Sequence, residues 1–128
     1  MRNIIFVCTG NTCRSPMAEG YLKSKNKNLK VISRGLAADG SPVSENSKKA
    51  MEKIGIDISH HISKQLTLEE AKEADLILCM SSSHSFALEN AGIEKEKIKV
   101  LGVSDPYGCS LQIYEECRDQ IIKGIDNL

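Results

Sequence analysis

The chain has 128 residues, 41% of them hydrophobic and 27% charged, which suits one soluble globular domain and is too short for two ordinary ones. Lys plus Arg and Asp plus Glu both number 17, so the formal net charge is zero; no basic field marks the chain for nucleic acid or an anionic membrane surface. No apolar run nears the roughly 20 residues of a membrane span, the first strand starts too early to leave room for a signal peptide, and five cysteines without tandem CxxC pairs indicate free thiols in a reducing compartment, the cytoplasm.

Asn3 to Val7 reads as a strand apolar enough to be buried on both faces. A loop from Cys8 to Ser15 follows. Ser15 is placed to cap the next helix, and Pro16 suits its first turn. That helix runs to about Lys25, with Met17, Tyr21 and Leu22 as its inner stripe. Lys30 to Ser33 is a short second strand, and Gly35 to Ser44, containing Gly40 and Pro42, is a loop. A helix from Ser44 or Glu45 to Ile54 stops at Gly55, and Ile56 to Lys64 is irregular. Thr67 and Glu70 form a capping box that opens a short helix to Glu73. Ala74 to Met80 is a third strand; Ser81 to Ser83 cap a helix through Ala91, ended by Gly92. Ile98 to Leu101 is the fourth strand, and Gly102 to Gly108 is a turn-rich loop. An amphipathic helix from Ser110 to about Ile125 closes the chain, with Leu111, Ile113, Tyr114, Cys117, Ile121 and Ile125 as core candidates.

Strands alternating with helices predict a single α/β domain over residues 1–128: a four-stranded parallel sheet with helices on both faces. Right-handed crossovers make the order 2-1-3-4 the economical one. Its switch point is the end of strand 1, where ligands bind and where Cys8 stands.

Five residues, Thr9-Gly10-Asn11-Thr12-Cys13, separate Cys8 from Arg14. A loop of that size closed onto a helix N-terminus can turn successive backbone N–H groups inward and bind a tetrahedral oxyanion. Gly10 and Asn11 tolerate the positive φ that such a cradle requires. Arg14 adds a planar fork for two phosphate oxygens. The positive surroundings favour the Cys8 thiolate, and the Ser15 hydroxyl would steady it if it reaches the sulfur. A thiolate at the floor of the cradle attacks phosphorus and forms a phosphocysteine. Asp105, in Asp105-Pro106-Tyr107, is the carboxyl group placed to protonate the leaving group and then to activate water. No metal-ligand spacing is evident, and the chemistry calls for no cofactor. Tyr107 reads as an aromatic wall of the pocket. Cys13 is a structural loop residue or the partner of Cys8 in a reversible disulfide. Cys79 and Cys117 read as core residues and Cys109 as a bystander. His60, His61 and His84 read mainly as surface or packing residues, His84 starting a helix near the pocket edge of the sheet.

The stretch Val-Cys-Thr-Gly-Asn-Thr-Cys-Arg-Ser-Pro-Met-Ala-Glu at 7–19, with Asp105-Pro106-Tyr107, resembles the low-molecular-weight protein tyrosine phosphatase family. Weaker echoes are Ser33-Arg34-Gly35, the stretch from Asp57 through His61 to Leu66, and Ala74-Asp75-Leu76-Ile77. The resemblance implies a phosphotyrosine phosphatase I-like fold, Cys8 as nucleophile, Arg14 as phosphate clamp and Asp105 as proton donor. It also implies a cradle for phosphate-like oxyanions in which Thr9, Gly10, Asn11, Thr12, Cys13, Ser15 and Tyr107 meet the substrate. Within the family the loop is similar to that of the bacterial protein arginine phosphatases, because Thr12 stands where tyrosine-specific members usually carry a branched apolar residue. The implied partners are phosphorylated proteins, phosphoarginine being favoured and phosphotyrosine the alternative. Thiol-coupled arsenate reduction is remoter: the residue seven positions after Cys79 is Phe86, not a relay cysteine. A non-enzymatic phosphate-binding module is the remaining class. Two features depart from the family. The segment before Asp105 is reduced to Gly102-Val103-Ser104, and Arg34 stands where a small residue is usual; both bear on how the pocket is walled and charged.

Overall fold

A computed structural model describes residues 2–128. Four strands, β1 (Asn3–Cys8), β2 (Lys30–Gly35), β3 (Leu76–Cys79) and β4 (Ile98–Val100), form one sheet in the order β2-β1-β3-β4, with every neighbouring pair parallel. The helices are α1 (Arg14–Lys25), α2 (Glu45–Glu52), α3 (Leu68–Glu73), α4 (Ser82–Asn90) and α5 (Leu111–Asp126). The predicted α/β architecture and strand order are those observed. Among the described residues no helix is long and apolar enough to cross a membrane.

The central strand explains the layering. Successive side chains of a strand point to opposite faces, and Ile4 to Val7 are all buried. Ile4, Phe6 and Cys8 pack with Met17 and Ala18 of α1, Ala50 and Met51 of α2, and Tyr114, Cys117, Ile121 and Ile125 of α5. Ile5 and Val7 pack on the other face with Ala71 of α3 and Leu88 of α4. Burying each large side chain contributes about 1.5–3 kcal/mol, so β1 is held from both sides and its last residue cannot drift.

That last residue is Cys8, which pairs in register with Gly35 of β2, while Val7 pairs with Cys79 of β3. Gly35 is not the start of a loop, as its composition suggests, but the end of the strand. A Cβ built there would lie 2.6 Å from the Thr9 carbonyl oxygen and 3.1 Å from Asn11 Cβ. Only glycine lets β2 approach the loop that leaves β1 so closely.

The other differences from the sequence-based elements have local causes. β3 begins at Leu76 rather than Ala74, because the Asp75 N–H bonds to the Asn3 carbonyl at the strand entrance and Ala74 caps α3. α2 ends at Glu52, ahead of Ile54, and Gly55 closes the turn at φ 80°. α4 ends at Asn90 with Ala91 as its cap residue, and β4 ends at Val100. Ser15 does not cap α1; the helix begins at Arg14 and Cys13 takes the cap position. Ile113 is 42% exposed rather than in the core. The stripe of α5 that faces the sheet runs Tyr114, Cys117, Ile121 and Ile125, at spacings of three and four residues, and Ile113 is about 100° of helix rotation away from Tyr114.

Replacing Gly35 by alanine forces the Thr9 carbonyl aside. Stability should fall by roughly 1–3 kcal/mol in denaturant titration, with a parallel loss of oxyanion binding; an unchanged midpoint would show that the loop can yield.

Candidate active site

The loop from Cys8 to Arg14 leaves the centre of the sheet and enters α1. Its carbonyl groups are held outward by donors from elsewhere in the chain. Cys8 O accepts from Leu36 N–H (3.1 Å), Thr9 O from Ala37 N–H (2.9 Å) and Thr12 O from Ser44 N–H (2.9 Å). Asn11 O accepts from His61 Nε2 (2.9 Å), and Cys13 O from the Ser47 hydroxyl (3.2 Å). A peptide group whose carbonyl points out presents the following N–H inward. Among the described residues, the N–H groups of Thr9 to Cys13 meet no protein acceptor. They join the free N–H groups of the first turn of α1, where the helix dipole is positive. The result is an anion cradle of backbone donors.

Asn11 makes the loop close. It is fully buried and is the one non-glycine residue at positive φ (58°) among the described residues. Its Oδ1 accepts from the Lys64 N–H at 2.8 Å, which fixes the amide orientation. Its Nδ2 then donates to Ser15 Oγ at 2.8 Å and to Ser33 Oγ at 3.0 Å. Ser33 in turn donates to Glu19 Oε1 at 2.6 Å. Ser15 Oγ accepts from Asn11 and lies 2.8 Å from the Cys8 sulfur, to which its hydrogen can donate once that sulfur is a thiolate. The Ser15 hydroxyl therefore reaches the sulfur, where it is placed to steady a thiolate, although it does not cap the helix.

Arg14 is 5% exposed. Its Nη1 donates to the Val103 carbonyl at 2.8 Å and its Nη2 lies 3.8 Å from Asp105 Oδ2. Its Nε is buried without a hydrogen-bond partner among the described residues. A buried guanidinium with an unpaired nitrogen is costly unless an anion completes it, and the cradle it borders is where such an anion would sit. The short Gly102-Val103-Ser104 segment thus does not leave the wall open. Val103 is buried, donates its N–H to the Met80 carbonyl and positions Arg14.

Asp105 follows, with its side chain half exposed across from Arg14 and its Oδ1 accepting from the Tyr107 N–H at 3.0 Å. Pro106 is fully buried and anchors the turn. A cavity of about 580 Å³ is lined by Cys8 to Arg14, by Asp39, Val43 and Ser44 from the opposite loop, and by Asp105 and Tyr107. Tyr107 stands at the rim, 77% exposed, so it is a lip rather than an enclosed wall.

Every predicted site residue except Ser15 lines this cavity, and Ser15 lies beneath it, against Cys8. Arg34 points elsewhere: its Nε and Nη2 bind the Glu70 carboxylate at 2.9 to 3.2 Å, tying β2 to α3; burial pushes that carboxyl's pKa up, but the bonds from Arg34 and Thr67 together outweigh it and leave the pKa below its ordinary value. The five cysteines are all free. Cys13 Sγ lies 3.3 Å from the Tyr114 hydroxyl and faces the core. Burial pushes the thiols of Cys79 and Cys117 up to about 12, which keeps them protonated and unreactive near neutrality. Sequence reasoning missed the supports of the loop: Ser33, His61, Lys64 and His84. Ser33, His61 and Lys64 fall within the weaker echoes of the family pattern, and His84 had only its place at a helix start near the pocket edge of the sheet.

The chain matches, over residues 3–128, the family described as low molecular weight phosphotyrosine protein phosphatase. It is 36% identical to the protein-arginine-phosphatase of Geobacillus stearothermophilus, over 98% of this chain and 92% of that protein. It is 33% identical to arsenate reductase 2 of Staphylococcus haemolyticus, over 98% of this chain and 95% of that one. The crystal structure of the low molecular weight protein tyrosine phosphatase from T. tengcongensis superposes with a TM-score of 0.90, at 37% identity, covering 100% of both chains.

Asn11→Ala removes the acceptor of the Lys64 N–H, both donors to Ser15 and Ser33, and the side chain best suited to positive φ. Unfolding free energy should drop by about 2–4 kcal/mol, together with phosphate affinity, both measurable by denaturant titration and calorimetry. A loss of activity with full stability and full phosphate affinity would contradict this account.

Proposed function

Because the chain belongs to the low molecular weight phosphotyrosine protein phosphatase family, we propose that it hydrolyses phosphorylated protein side chains through a phosphocysteine, with phosphoarginine preferred. The phosphoryl group sits in the cradle on the backbone N–H groups and the Arg14 fork. The Cys8 thiolate attacks phosphorus in line as the P–N bond to the guanidino group breaks. Asp105 gives its proton to the departing nitrogen, which leaves as a guanidine and takes up its charge in water. The Asp105 carboxylate then takes a proton from water, whose oxygen attacks phosphorus. Cys8 leaves as a thiolate, steadied by the Ser15 hydroxyl, and inorganic phosphate is released.

The observation that carries the preference is Thr12 in the cavity wall. A guanidino group presents several N–H donors, and buried donors need acceptors. The Thr12 hydroxyl and the Asp39 carboxylate can supply them, whereas a branched apolar side chain at position 12 would remove one of these acceptors. The arginine-phosphatase name of the Geobacillus relative supports the same reading. Tyr107 favours phosphotyrosine as the second reading, since its exposed ring can pack against a phenyl group. Thiol-coupled arsenate reduction fits less well, because Cys79 and Cys117 are buried as protonated thiols and Cys79 has Phe86 rather than cysteine seven residues on. Five free cysteines support a reducing, cytoplasmic setting.

Purified protein should turn over phosphoarginine protein with a kcat/KM at least about tenfold above that for phosphotyrosine peptide, a transition-state difference near 1.4 kcal/mol. Thr12→Ile should lose the first activity while keeping or gaining the second; unchanged selectivity would show that Thr12 is not the determinant. Cys8→Ser should abolish turnover of both and still bind phosphate. Asp105→Asn should lower kcat by roughly 10²–10⁴-fold.

A further inference from the structure

His84 takes no part in the reaction above, yet it lies one hydrogen bond from the phosphate loop. β3 ends at Cys79, and Met80 and Ser81 lead into α4, whose third residue is His84. The imidazole is 4% exposed. Its protonation follows from its neighbours. The Ser81 N–H lies 3.2 Å from His84 Nδ1, and a backbone N–H can only donate, so Nδ1 is the acceptor and carries no proton. The ring proton therefore sits on Nε2, which lies 2.9 Å from Thr9 Oγ1 and donates to it. Ser81 Oγ, 3.0 Å from Nδ1 and 2.9 Å from Ser83 Oγ, can donate to either and leaves the assignment unchanged.

Thr9 is the residue after the Cys8 sulfur. Its carbonyl is held from the β2 side by the Ala37 N–H, and its hydroxyl is held from the opposite side by His84. These two bonds fix both the peptide plane and the side chain at the first corner of the cradle. We propose that His84 is a positioning residue of the phosphate loop: a neutral imidazole, set in its Nε2–H form by Ser81, clamps Thr9 and so aims the first inward N–H groups at the phosphoryl oxygens. The proposal rests on the reading of the loop as a phosphoryl site but not on which side chain carries the phosphoryl group.

The surroundings keep the ring neutral. Burial, and then the positive charge of Arg14 from α1, lower its pKa from the ordinary histidine value, against a weaker opposing pull from Asp105 in the loop after β4. A neutral ring is what the geometry requires. A second proton on Nδ1 would face the Ser81 N–H, donor against donor, and would turn the ring out of its place under Thr9.

Amide side chains separate the two ends of the ring. His84→Asn keeps an acceptor near the Nδ1 position for Ser81 but falls short of Thr9. His84→Gln carries an amide N–H at the Nε2 position. Thr9→Val removes the acceptor from the other side. Affinity for inorganic phosphate is read by calorimetry, kcat and KM are read on a small aryl phosphate, and melting temperature is followed in parallel. His84→Asn and Thr9→Val should each weaken phosphate binding and kcat/KM by roughly 3- to 10-fold, the size of one hydrogen bond. The double variant should be no worse than either single one, and His84→Gln should restore most of the loss. Additive losses, or a lowered melting temperature with unchanged phosphate affinity, would reduce His84 to a structural residue and overturn the proposal. Phosphate binding is read without turnover, so a wild-type protein that binds phosphate but hydrolyses no ester would defeat the functional reading and leave this test standing.

Discussion

The outward pull on the carbonyl groups of the loop between Cys8 and Arg14 is the interaction on which the rest of the molecule depends. Five donors from three separate stretches, the 36–37 turn after β2, the Ser44–Ser47 start of α2 and the His61 loop, take those carbonyls. The N–H groups have nowhere to point but inward. Each bond contributes about 0.5–1.5 kcal/mol net, enough together to offset the roughly 1–3 kcal/mol of a buried asparagine held at positive φ. Gly35 at the end of β2 and the buried β1 strand place those donors close enough to act.

The charge distribution follows from this. A chain with zero formal charge holds no long-range attraction for an anion, so its positive potential is made locally from oriented peptide groups, the start of α1 and one buried guanidinium. Arg14 is left partly unpaired, facing the cradle. The groups across the mouth are carboxylates, Asp105 and Asp39, together with the Tyr107 ring. The floor of the cavity thus suits a phosphoryl dianion and its mouth suits a cationic or hydrogen-bond-donating leaving group. This division of charge underlies the phosphoarginine reading, and Thr12 lines the same cavity.

The polar residues beneath the loop, buried except for the partly exposed Glu19, act together. Glu19, Ser33, Asn11 and Ser15 make a continuous run of hydrogen bonds ending at the Cys8 sulfur. His84 and Thr9 make a separate bond on the other side of the loop. Both replace what water would do for a mobile loop with fixed dipoles, which need no rearrangement when charge develops on sulfur or phosphorus.

The element types, their order and the place of Cys8 and Arg14 were legible in the sequence because they rest on local signals. These are continuous apolar runs for buried strands, Gly55 and Gly92 as stops, the Thr67–Glu70 capping box, and a cysteine and an arginine spaced across one loop. Parallel order followed from connectivity rules with few solutions. The residues that act only across the fold were not legible. Ile113 and Tyr114 are adjacent in an apolar stretch, and only the packing of α5 on the sheet separates the exposed one from the buried one. Ser15 has the residue type of a cap, and its true partner, the Cys8 sulfur, is set by how Asn11 turns the loop. Ser33, His61, Lys64 and His84 are distant in sequence and ordinary in type. Their hydrogen bonds to the loop exist because the sheet and its helices bring them within 3 Å or so of groups that local sequence leaves unpaired.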